Sequence, residues 1–480
     1  MGTAIVLRPP VEDGTAPGGA RSWRARVAAD LDAGLRDAGF EPRTVVGLDD
    51  LAAVVGSSEI APPMVLVDAR AVLGPSALRA LALDPRVDAG VLVRTVPGRV
   101  PTSHRAVRVD RGVVVAASSP LHAPLTGRTI SVGACVLDAT RLEALQPAVD
   151  GLRAGWGADE LARAFEEGPV ELVVAALLAG GHRLTAVDAR GMVAERVEDE
   201  ASATAALERR ATADHDRAWL DAAVKARDGF FTTFFVSPYT RFIARWAARA
   251  GLSPNQVTVV SMLVGVLAAA SFATGGRGAA VVGAIALQVA FALDCVDGQL
   301  ARYTQRFSTF GGWLDAIFDR GKEYVVYAGL AYGAARTGDS GVWALASAAL
   351  ALQVARHTVD FSFARHRPPP HVRSPVLAPA GTGSTRHAEG GGPATGEAGP
   401  APVEPEGAGR VLDAAAAAED NPVLRWGKRI VVFPIGERFA VISVTAIVAS
   451  PTLTFQILLV WGAIAAAYTT TGRVLRARRW

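Results

Sequence analysis

The chain has 480 residues, of which 50% are hydrophobic and 20% are charged, and its formal net charge is +3. This length is enough for two or more domains. The small basic excess is scattered, so we expect no nucleic-acid partner. Only two cysteines occur, Cys135 and Cys295, which argues against a disulfide framework and favours a reducing compartment. The first ten residues lack the basic segment and long apolar core of a signal peptide.

Residues 1–200 alternate between strand-like and helix-like patterns. Helical patterns cover 21–38 and 75–84, and two more lie near 158–166 and 169–179. Strands that alternate with helices predict an α/β domain with a mainly parallel sheet. The short apolar runs of strand length are 3–8, 44–47, 64–68, 90–94, 112–116 and 130–137.

Residues 201–250 predict linking and interfacial helices. The Ala-, Arg- and Glu-rich stretch 201–227 has apolar residues at helical spacing. An aromatic run follows, and then Arg241, Arg245 and Arg249 recur every four residues. Such a helix places its apolar face in lipid and its arginines against anionic headgroups. The alternative is an ordinary amphipathic helix of a soluble protein, but an apolar span follows directly.

Two regions predict membrane spans: 251–366 has four and 421–480 has two. An excess of Lys and Arg on one side of these spans predicts that both termini face the cytoplasm. We therefore expect a multi-pass protein of the plasma membrane, in contact with membrane lipids. The six predicted spans lie near 256–274, 279–298, 311–334, 340–362, 437–450 and 452–472.

Eight residues beside or inside the second and third spans follow the pattern D-x2-D-G-x2-A-R-x8-G-x3-D-x3-D. They are Asp294, Asp297, Gly298, Ala301, Arg302, Gly311, Asp315 and Asp319. Carboxylates in membrane helices are costly and usually functional. The first two aspartates are spaced i, i+3 and the last two i, i+4, so each pair shares a helix face. Their hard oxygen atoms suit Mg²⁺ or Mn²⁺. The alternative is a set of acidic helix ends at the membrane surface, which would not require the glycines, Ala301 or Arg302.

This pattern resembles the signature of the CDP-alcohol phosphotransferases. These membrane enzymes move a phospho-alcohol from a CDP-alcohol to a second alcohol and release CMP. The resemblance implies an all-α domain of six transmembrane helices and a homodimer. It implies that Asp294, Asp297 and Asp315 bind the metal, and that Asp319 is the general base and also contacts metal. The CDP-binding residues it implies are Asn255, Thr258, Gly298, Ala301, Arg302 and Gly311. For Asn255, helix capping is an equally simple role.

The acceptor and the lipid product are left open by the sequence. Arg356, Lys428 and Arg438 flank the cytoplasmic mouth of the spans, where they could hold an anionic acceptor or simply anchor helix ends. A small polar alcohol such as inositol phosphate is the favoured substrate, and phosphatidyl transfer from CDP-diacylglycerol is the alternative. A transporter or a pseudoenzyme scaffold is the alternative from another class. Acids clustered at one membrane face, with an intact motif, favour an enzyme.

The first 200 residues resemble, in layout, the Rossmann-like nucleotidyltransferases of sugar-nucleotide synthesis. The whole arrangement resembles bifunctional archaeal enzymes that join an inositol-phosphate cytidylyltransferase to di-inositol-phosphate phosphate synthase. The Gly-rich phosphate loop of that family is out of register here, and Pro9 and Pro10 remove N–H donors near its start. Asp68 stands where the family has a metal-binding aspartate, although a turn after a strand explains it more simply. We therefore expect a cytoplasmic domain that has lost its activity.

Residues 367–420 are rich in Pro, Gly and Ala and have almost no large apolar side chains. This composition predicts a disordered cytoplasmic loop between the fourth and fifth spans. No chemical motif lies within it, so a tolerated spacer is a simpler interpretation than a partner-binding segment.

Replacing 370–418 with a short Gly/Ser linker is expected to leave the fold intact and the catalytic rate within a few-fold of the parent. The loop buries too little apolar surface to offset an ordering cost of roughly 1–2 kcal/mol per backbone residue. Amide hydrogen exchange should show no protection there at the earliest times. Strong protection, or collapse of turnover in the shortened protein, would make the loop a structured part of the site.

Overall fold

The structure is a computed structural model, and it describes residues 2–9, 22–57, 60–225, 228–372 and 421–477. The chain forms two compact units. The first comprises Met1–Ala222 with a short segment that begins at Pro369, and the second holds the remainder from Ala223 onward. Most of the predicted loop 367–420, and most of the stretch expected to correspond to a phosphate loop, lie outside the described residues.

The first unit contains an eight-stranded sheet in the order β2-β1-β3-β8-β5-β9-β7-β6, and β4 and β10 form a separate two-stranded pair. Every apolar run predicted as a strand overlaps one of these strands. They are β1 Gly2–Arg8, β2 Phe40–Val46, β3 Met64–Asp68, β4 Ala71–Leu73, β5 Ala89–Ser103, β6 Val107–Asp110, β7 Val113–Ala117, β8 Leu125–Leu137, β9 Leu184–Asp188 and β10 Ala194–Arg196.

The large sheet is mixed, so the expectation of a mainly parallel sheet is wrong. β1 pairs in parallel with β2 and β3, and β5 pairs in parallel with β9. The long strand β8 runs antiparallel to both of its neighbours, β3 and β5, and β7 runs antiparallel to β6 and β9. The reason is topological: the chain returns through β6, β7 and β8 without an intervening helix, and strands joined by short connections run antiparallel.

Nine helices are described in the first unit. The helix α7 is apolar apart from Glu171, and every residue except its last is buried. It contacts β1, β3, β7 and β8, so it forms the centre of the core on one face of the sheet. The helices are α1 Trp23–Asp37, α2 Gly47–Val55, α3 Pro75–Ala82, α4 Ala139–Leu142, α5 Leu145–Gly155, α6 Ala158–Glu167, α7 Pro169–Ala179, α8 Glu200–Thr212 and α9 His215–Ala222. The stretch 201–227, predicted as helical, contains most of α8 and all of α9.

The second unit is helical throughout its described residues. A π-helical turn, Thr232–Val236, precedes the predicted interfacial helix. The helices are α10 Ser237–Arg249, α11 Pro254–Thr274, α12 Arg277–Thr304, α13 Thr309–Arg336, α14 Val342–His366, α15 Pro422–Val431, α16 Ile435–Val448 and α17 Pro451–Ala477. Ser253 caps α11 in a capping box with Gln256. Gly329 and Gly333 lie directly against the backbone of α11, so α11 and α13 pack closely enough to exclude side chains at those positions.

All six segments predicted as spans are helices. By length and composition α11, α12 and α17 are apolar enough to cross a membrane. The pair α15 and α16 passes the same test together and is bent by 72°. A multi-pass membrane protein is therefore supported, whereas the number of six spans stays a prediction, because α13 and α14 carry more charge.

Asp68 at the end of β3 is fully buried and paired with arginines. Arg70 Nε and Nη2 each donate to its carboxylate at 2.9 Å, and Arg196 Nε lies 3.4 Å away. Burial acts to lower the pKa of Arg70, but the hydrogen bond and charge of Asp68 outweigh it and raise that pKa. The guanidinium groups of Arg70 and Arg196 thus pair with the Asp68 carboxylate, which stands where the nucleotidyltransferase family has a metal-binding aspartate.

We predict that the first unit has no cytidylyltransferase activity. The full-length protein, with Asp319→Asn introduced to silence the second unit, should release no pyrophosphate from CTP with inositol phosphate or glycerol phosphate. Turnover that disappears on Asp68→Asn would overturn this prediction. That substitution should instead lower the free energy of unfolding of the first unit by on the order of 3–5 kcal/mol, because it leaves buried charges unpaired. Chemical denaturation followed by circular dichroism measures the loss.

Candidate active site

Three of the four predicted aspartates converge in the second unit. Asp294 and Asp297 project from α12 and Asp315 from α13, and one carboxylate oxygen of each lies within 4.8 Å of the others. Asp297 is only 4% exposed. Three hard, anionic oxygen donors at this separation fit a divalent cation such as Mg²⁺ or Mn²⁺. The donor set therefore agrees with the predicted metal site.

Thr258 supports this cluster from α11. Its hydroxyl lies 2.6 Å from Asp297 Oδ2 and 3.0 Å from the carbonyl oxygen of Pro254. Thr258 is buried, so no water competes for the contact at its side chain. A residue that the resemblance assigned to the CDP site is therefore placed to orient the Asp297 carboxylate.

Asn255 and Gly311 bring the starts of α11 and α13 together. A Cβ atom at Gly311 would lie 2.5 Å from Asn255 Oδ1 and 2.8 Å from Ser308 Oγ. Ser308 caps α13 by accepting a hydrogen bond from the Gly311 N–H at 2.9 Å. Glycine is thus required at this position, because Asn255 and Ser308 leave no space for a side chain.

The C-terminal half of α12 carries the remaining motif residues. A Cβ atom at Gly298 would lie 3.3 Å from the guanidinium of Arg302, so this glycine leaves room for the arginine. Arg302 Nε donates to the carbonyl oxygen of Ala223, within the same unit. Ala301 is partly exposed beside them. Arg302 therefore fixes the chain that enters the second unit against the end of α12.

Lys322 is a member of this site that the sequence analysis missed. It is fully buried, and its Nζ donates to Asp294 Oδ1 and lies 3.0 Å from Ser261 Oγ. The same Nζ lies 3.4 Å from Asp319 Oδ1. The available signal was its spacing: Lys322 is i+3 from Asp319 and i+7 from Asp315, on one face of a largely apolar helix.

Asp319 lies beside the three-carboxylate cluster without joining it. Its side chain is 32% exposed. Among the described residues, its Oδ1 is buried and accepts no hydrogen bond, so its contact with Lys322 is an ion pair only. A carboxylate that is partly open to solvent suits a proton acceptor. A metal contact for Asp319 stays a prediction.

The three predicted acceptor-binding residues occupy different environments. Arg438 is 6% exposed, and its guanidinium forms a two-point ion pair with the buried Glu323 at 2.7 and 3.1 Å. Arg356 is half-buried and donates to the Val432 carbonyl oxygen at 2.9 Å. Lys428 is exposed on α15. Of the three, Lys428 is thus the most accessible, and Arg438 is the most firmly engaged.

An apolar groove of about 410 Å³ lies between α10, α12 and α16. Along α12 it reaches Leu293, the residue before the first motif aspartate. Gln288 is among its polar residues, but its amide donates to Ser443 Oγ and to the Phe439 carbonyl oxygen, so that donor is already satisfied. The lining residues are Tyr239, Ile243, Ala284, Ile285, Gln288, Val289, Ala292, Leu293, Ser443 and Ile447.

Several characterised proteins are similar to parts of this chain. An archaetidylinositol phosphate synthase of Pyrococcus horikoshii is 36% identical over 91 residues, which cover 19% of this chain and 47% of that protein. A bifunctional IPC transferase and DIPP synthase of Aquifex aeolicus is 37% identical over 81 residues, or 16% of this chain and 18% of that protein. A phosphatidylinositol phosphate synthase of Streptomyces avermitilis is 33% identical over 112 residues, or 23% and 43%. The chain thus spans less than half the length of each of these relatives.

Two solved structures align with larger parts of the chain at lower identity. One is the phosphatidylinositol phosphate synthase of Mycobacterium tuberculosis in complex with manganese and citrate, at 19% identity and a TM-score of 0.29, covering 49% of this chain and 88% of that one. The other is the inositol-1-phosphate CTP transferase of T. maritima, at 12% identity and a TM-score of 0.30, covering 44% and 97%. Both TM-scores are below 0.5, so neither alignment establishes a shared fold.

The family model described as CDP-alcohol phosphatidyltransferase matches residues 252–384. This range contains α11 to α14 and the complete aspartate motif. With the three carboxylates brought together in space, the match identifies residues 252–384 as a CDP-alcohol phosphatidyltransferase domain.

Proposed function

We propose that this protein is an integral membrane CDP-alcohol phosphotransferase. It transfers a phospho-alcohol from a CDP-alcohol to an acceptor alcohol and releases CMP. The observation that supports this most strongly is the convergence of Asp294, Asp297 and Asp315 from two helices, within the family domain and with the motif intact. We further propose that the active site and both termini face the cytoplasm and that the protein is a homodimer of the plasma membrane.

In this proposal Asp294, Asp297 and Asp315 hold Mg²⁺ or Mn²⁺. Such a cation neutralises the diphosphate of the donor and polarises the phosphoryl oxygens. The hydroxyl of Thr258 keeps the Asp297 carboxylate in one orientation. Arg302, Ala301 and Gly298 line the same end of α12, where the nucleotide is proposed to bind.

Asp319 acts as the general base. The acceptor hydroxyl gives its proton to the Asp319 carboxylate while its oxygen forms a bond to the phosphorus that carries the donor alcohol. The bond between that phosphorus and the CMP oxygen breaks, and CMP leaves with the electron pair as an anion. Asp319 suits this role because its side chain is 32% exposed, so an acceptor hydroxyl can reach it.

The groove between α10, α12 and α16 favours a donor with a lipid chain. Its apolar lining leads along α12 to the residue next to Asp294. Two of the relatives are named as synthases of archaetidylinositol phosphate and phosphatidylinositol phosphate. We therefore propose a CDP-lipid donor and an acceptor such as inositol phosphate, held by Arg356 and Lys428. Arg438 would contact the acceptor only if its pair with Glu323 opened.

A donor without a lipid chain is the second candidate, because the relative from Aquifex aeolicus is named as a DIPP synthase. The groove would then hold only membrane lipid. Mass spectrometry of the products from purified protein given CDP-diacylglycerol, CDP-inositol and a panel of alcohols separates the two candidates.

Purified protein is expected to release CMP with Mg²⁺ or Mn²⁺ and to stop with EDTA, since three carboxylates without a cation would repel the diphosphate. Asp319→Asn should lower turnover by on the order of 10²–10⁴-fold, the usual contribution of a general base, and keep CDP-alcohol binding. Asp294→Asn should weaken that binding. Unchanged activity in EDTA would contradict the metal site. Equal loss of binding in both variants would make Asp319 mainly a metal ligand.

Val289→Trp is expected to fill the groove and raise KM for a long-chain CDP-lipid by on the order of tenfold, which corresponds to about two methylene groups losing burial. KM for a CDP-alcohol without a lipid chain should not change. Val260→Trp is the matched control, because Val260 is 47% exposed and Val289 is 46% exposed, and Val260 lies on α11 outside the groove. Equal effects on both donors would show that the groove does not hold the lipid chain.

A further inference from the structure

We propose that Lys225 is a further substrate-binding residue of this site, and that its ammonium binds the diphosphate of the CDP-alcohol donor. The proposal rests on the proposed function, and it assigns a role to a residue outside the aspartate motif. Lys225 belongs to the segment that leads into the second unit, called here the entry segment, whose described residues are 223–225 and 228–231. Lys225 is exposed, so its side chain can meet an incoming substrate.

Arg302 holds the first end of the entry segment against the site. Its Nε donates to the carbonyl oxygen of Ala223, two residues before Lys225. Arg302 follows Asp297 by five residues on α12, which is about 7.5 Å along the helix axis. Two residues of chain span at most about 7 Å, so the backbone of Lys225 stays close to this end of α12. Because a lysine side chain is long, its ammonium can reach the carboxylate cluster from there.

Helices α15 and α16 hold the other end of the entry segment. Arg429 Nη1 donates to the carbonyl oxygen of Asp228 at 3.0 Å. The N–H of Phe231 donates to Glu437 Oε1 at 3.2 Å. A Cβ atom at Gly229 would lie 2.6 Å from Glu437 Oε2, so the segment approaches this carboxylate closely only because residue 229 is glycine. The entry segment is thus fastened at both ends, which limits where the lysine between them can lie.

The charge of Lys225 acts on the aspartate cluster. Asp315, a proposed metal ligand on α13, interacts electrostatically with both Lys225 and Arg302. The other lysine at the site, Lys322, is fully buried and paired with Asp294. Lys225 is therefore the more accessible of the two ammonium groups. Lysine binds phosphate as a point charge, and a diphosphate held by a divalent cation at Asp315 would place its negative charge near this ammonium.

Lys225→Met keeps an apolar stem and removes the charge. It is expected to raise KM for the CDP-alcohol by on the order of tenfold, as for the loss of one charge-assisted hydrogen bond. The kcat and the KM for the acceptor should not change, because the bound donor and the transition state both carry the diphosphate charge. Lys225→Arg should restore most of the affinity. Arg277→Met is the matched control, since Arg277 is an exposed cation at the opposite end of α12. An unchanged KM for the donor, or a change confined to the acceptor, would overturn the proposal.

Metal binding distinguishes this role from a purely structural one. Without substrate, the Lys225 ammonium repels a divalent cation at the nearby cluster. Lys225→Met should therefore bind Mn²⁺ more tightly than the parent while it binds the donor more weakly. Electron paramagnetic resonance on the full-length protein in detergent measures the free Mn²⁺. Weaker binding of both Mn²⁺ and the donor would mean that the substitution only disturbs the fold, which contradicts the proposal.

A second substitution tests the placement of the entry segment without removing the lysine. Gly229→Ala should displace the segment from Glu437 and raise KM for the donor. This effect should be smaller in a Lys225→Met background, because coupled residues are not additive. Gly278→Ala is the matched control, since a Cβ atom there meets no other atom within 4 Å. Equal effects of Gly229→Ala in both backgrounds would refute the placement of Lys225. A parent that binds no Mn²⁺ and releases no CMP would instead refute the proposed function itself.

Discussion

The second unit holds several carboxylates among apolar helices, and the free-energy cost of burying their charge constrains how these helices pack. A buried charge in a membrane helix is tolerated only when it is paired or bound to a cation. Asp297 accepts a hydrogen bond from the Thr258 hydroxyl on α11, and Asp294 and Asp319 both form ion pairs with the ammonium of Lys322. These contacts need α11, α12 and α13 to lie close together, and the glycines that let α11 and α13 touch, Gly329 and Gly333, supply that proximity. The close packing of three helices is therefore the precondition of the site, and the polar contacts in turn fix its register.

A second buried ion pair extends this arrangement to the rest of the unit. Glu323 follows Lys322 in sequence, and it accepts from Arg438 on α16, from the Tyr327 hydroxyl at 2.8 Å and from the Gln353 amide at 3.2 Å. Two consecutive residues of α13 thus have different partners: Lys322 binds the Asp294 carboxylate of α12, and Glu323 binds Arg438 of α16 and Gln353 of α14. The groove proposed for a lipid chain lies between α12 and α16, so both of its long walls are anchored to the same turn of α13. A carboxylate left alone there would be costly, which explains why every acceptor atom of Glu323 is engaged.

The sequence was informative where the site depends on the spacing of residues along one helix. It was less informative where the site depends on contacts between helices that are distant in sequence. The motif predicted that four aspartates come together, and three of them, Asp294, Asp297 and Asp315, do so. Helical periodicity alone places Asp294 with Asp297 on one face. The positions of all six long apolar segments followed from hydrophobicity. Lys322 was missed because a lysine in an apolar helix is usually assigned to a membrane surface. Its contacts with Asp294 on α12 and Ser261 on α11 depend on how these helices approach α13 in space. The prediction of a mainly parallel sheet was wrong because it rested on the alternating strands and helices at the start of the chain. The later strands β6, β7 and β8 follow one another without an intervening helix, and they pair antiparallel. For Arg438, the position in sequence suggested an accessible cation, but its partner Glu323 is 115 residues away.

The chain contains two sites with buried carboxylates, and they differ in how much of the negative charge is balanced by nearby cationic side chains. In the first unit Asp68 is fully buried and meets two arginines, Arg70 and Arg196, whose charges are permanent. Such a carboxylate has no oxygen left for a metal. In the second unit one ammonium serves two of four carboxylates, so the negative charge is only partly balanced and a divalent cation is still attracted. A structural aspartate and an aspartate that is proposed to bind metal therefore differ here in the number of fixed cations within reach, and Lys322 is a fixed cation at the site where catalysis is proposed.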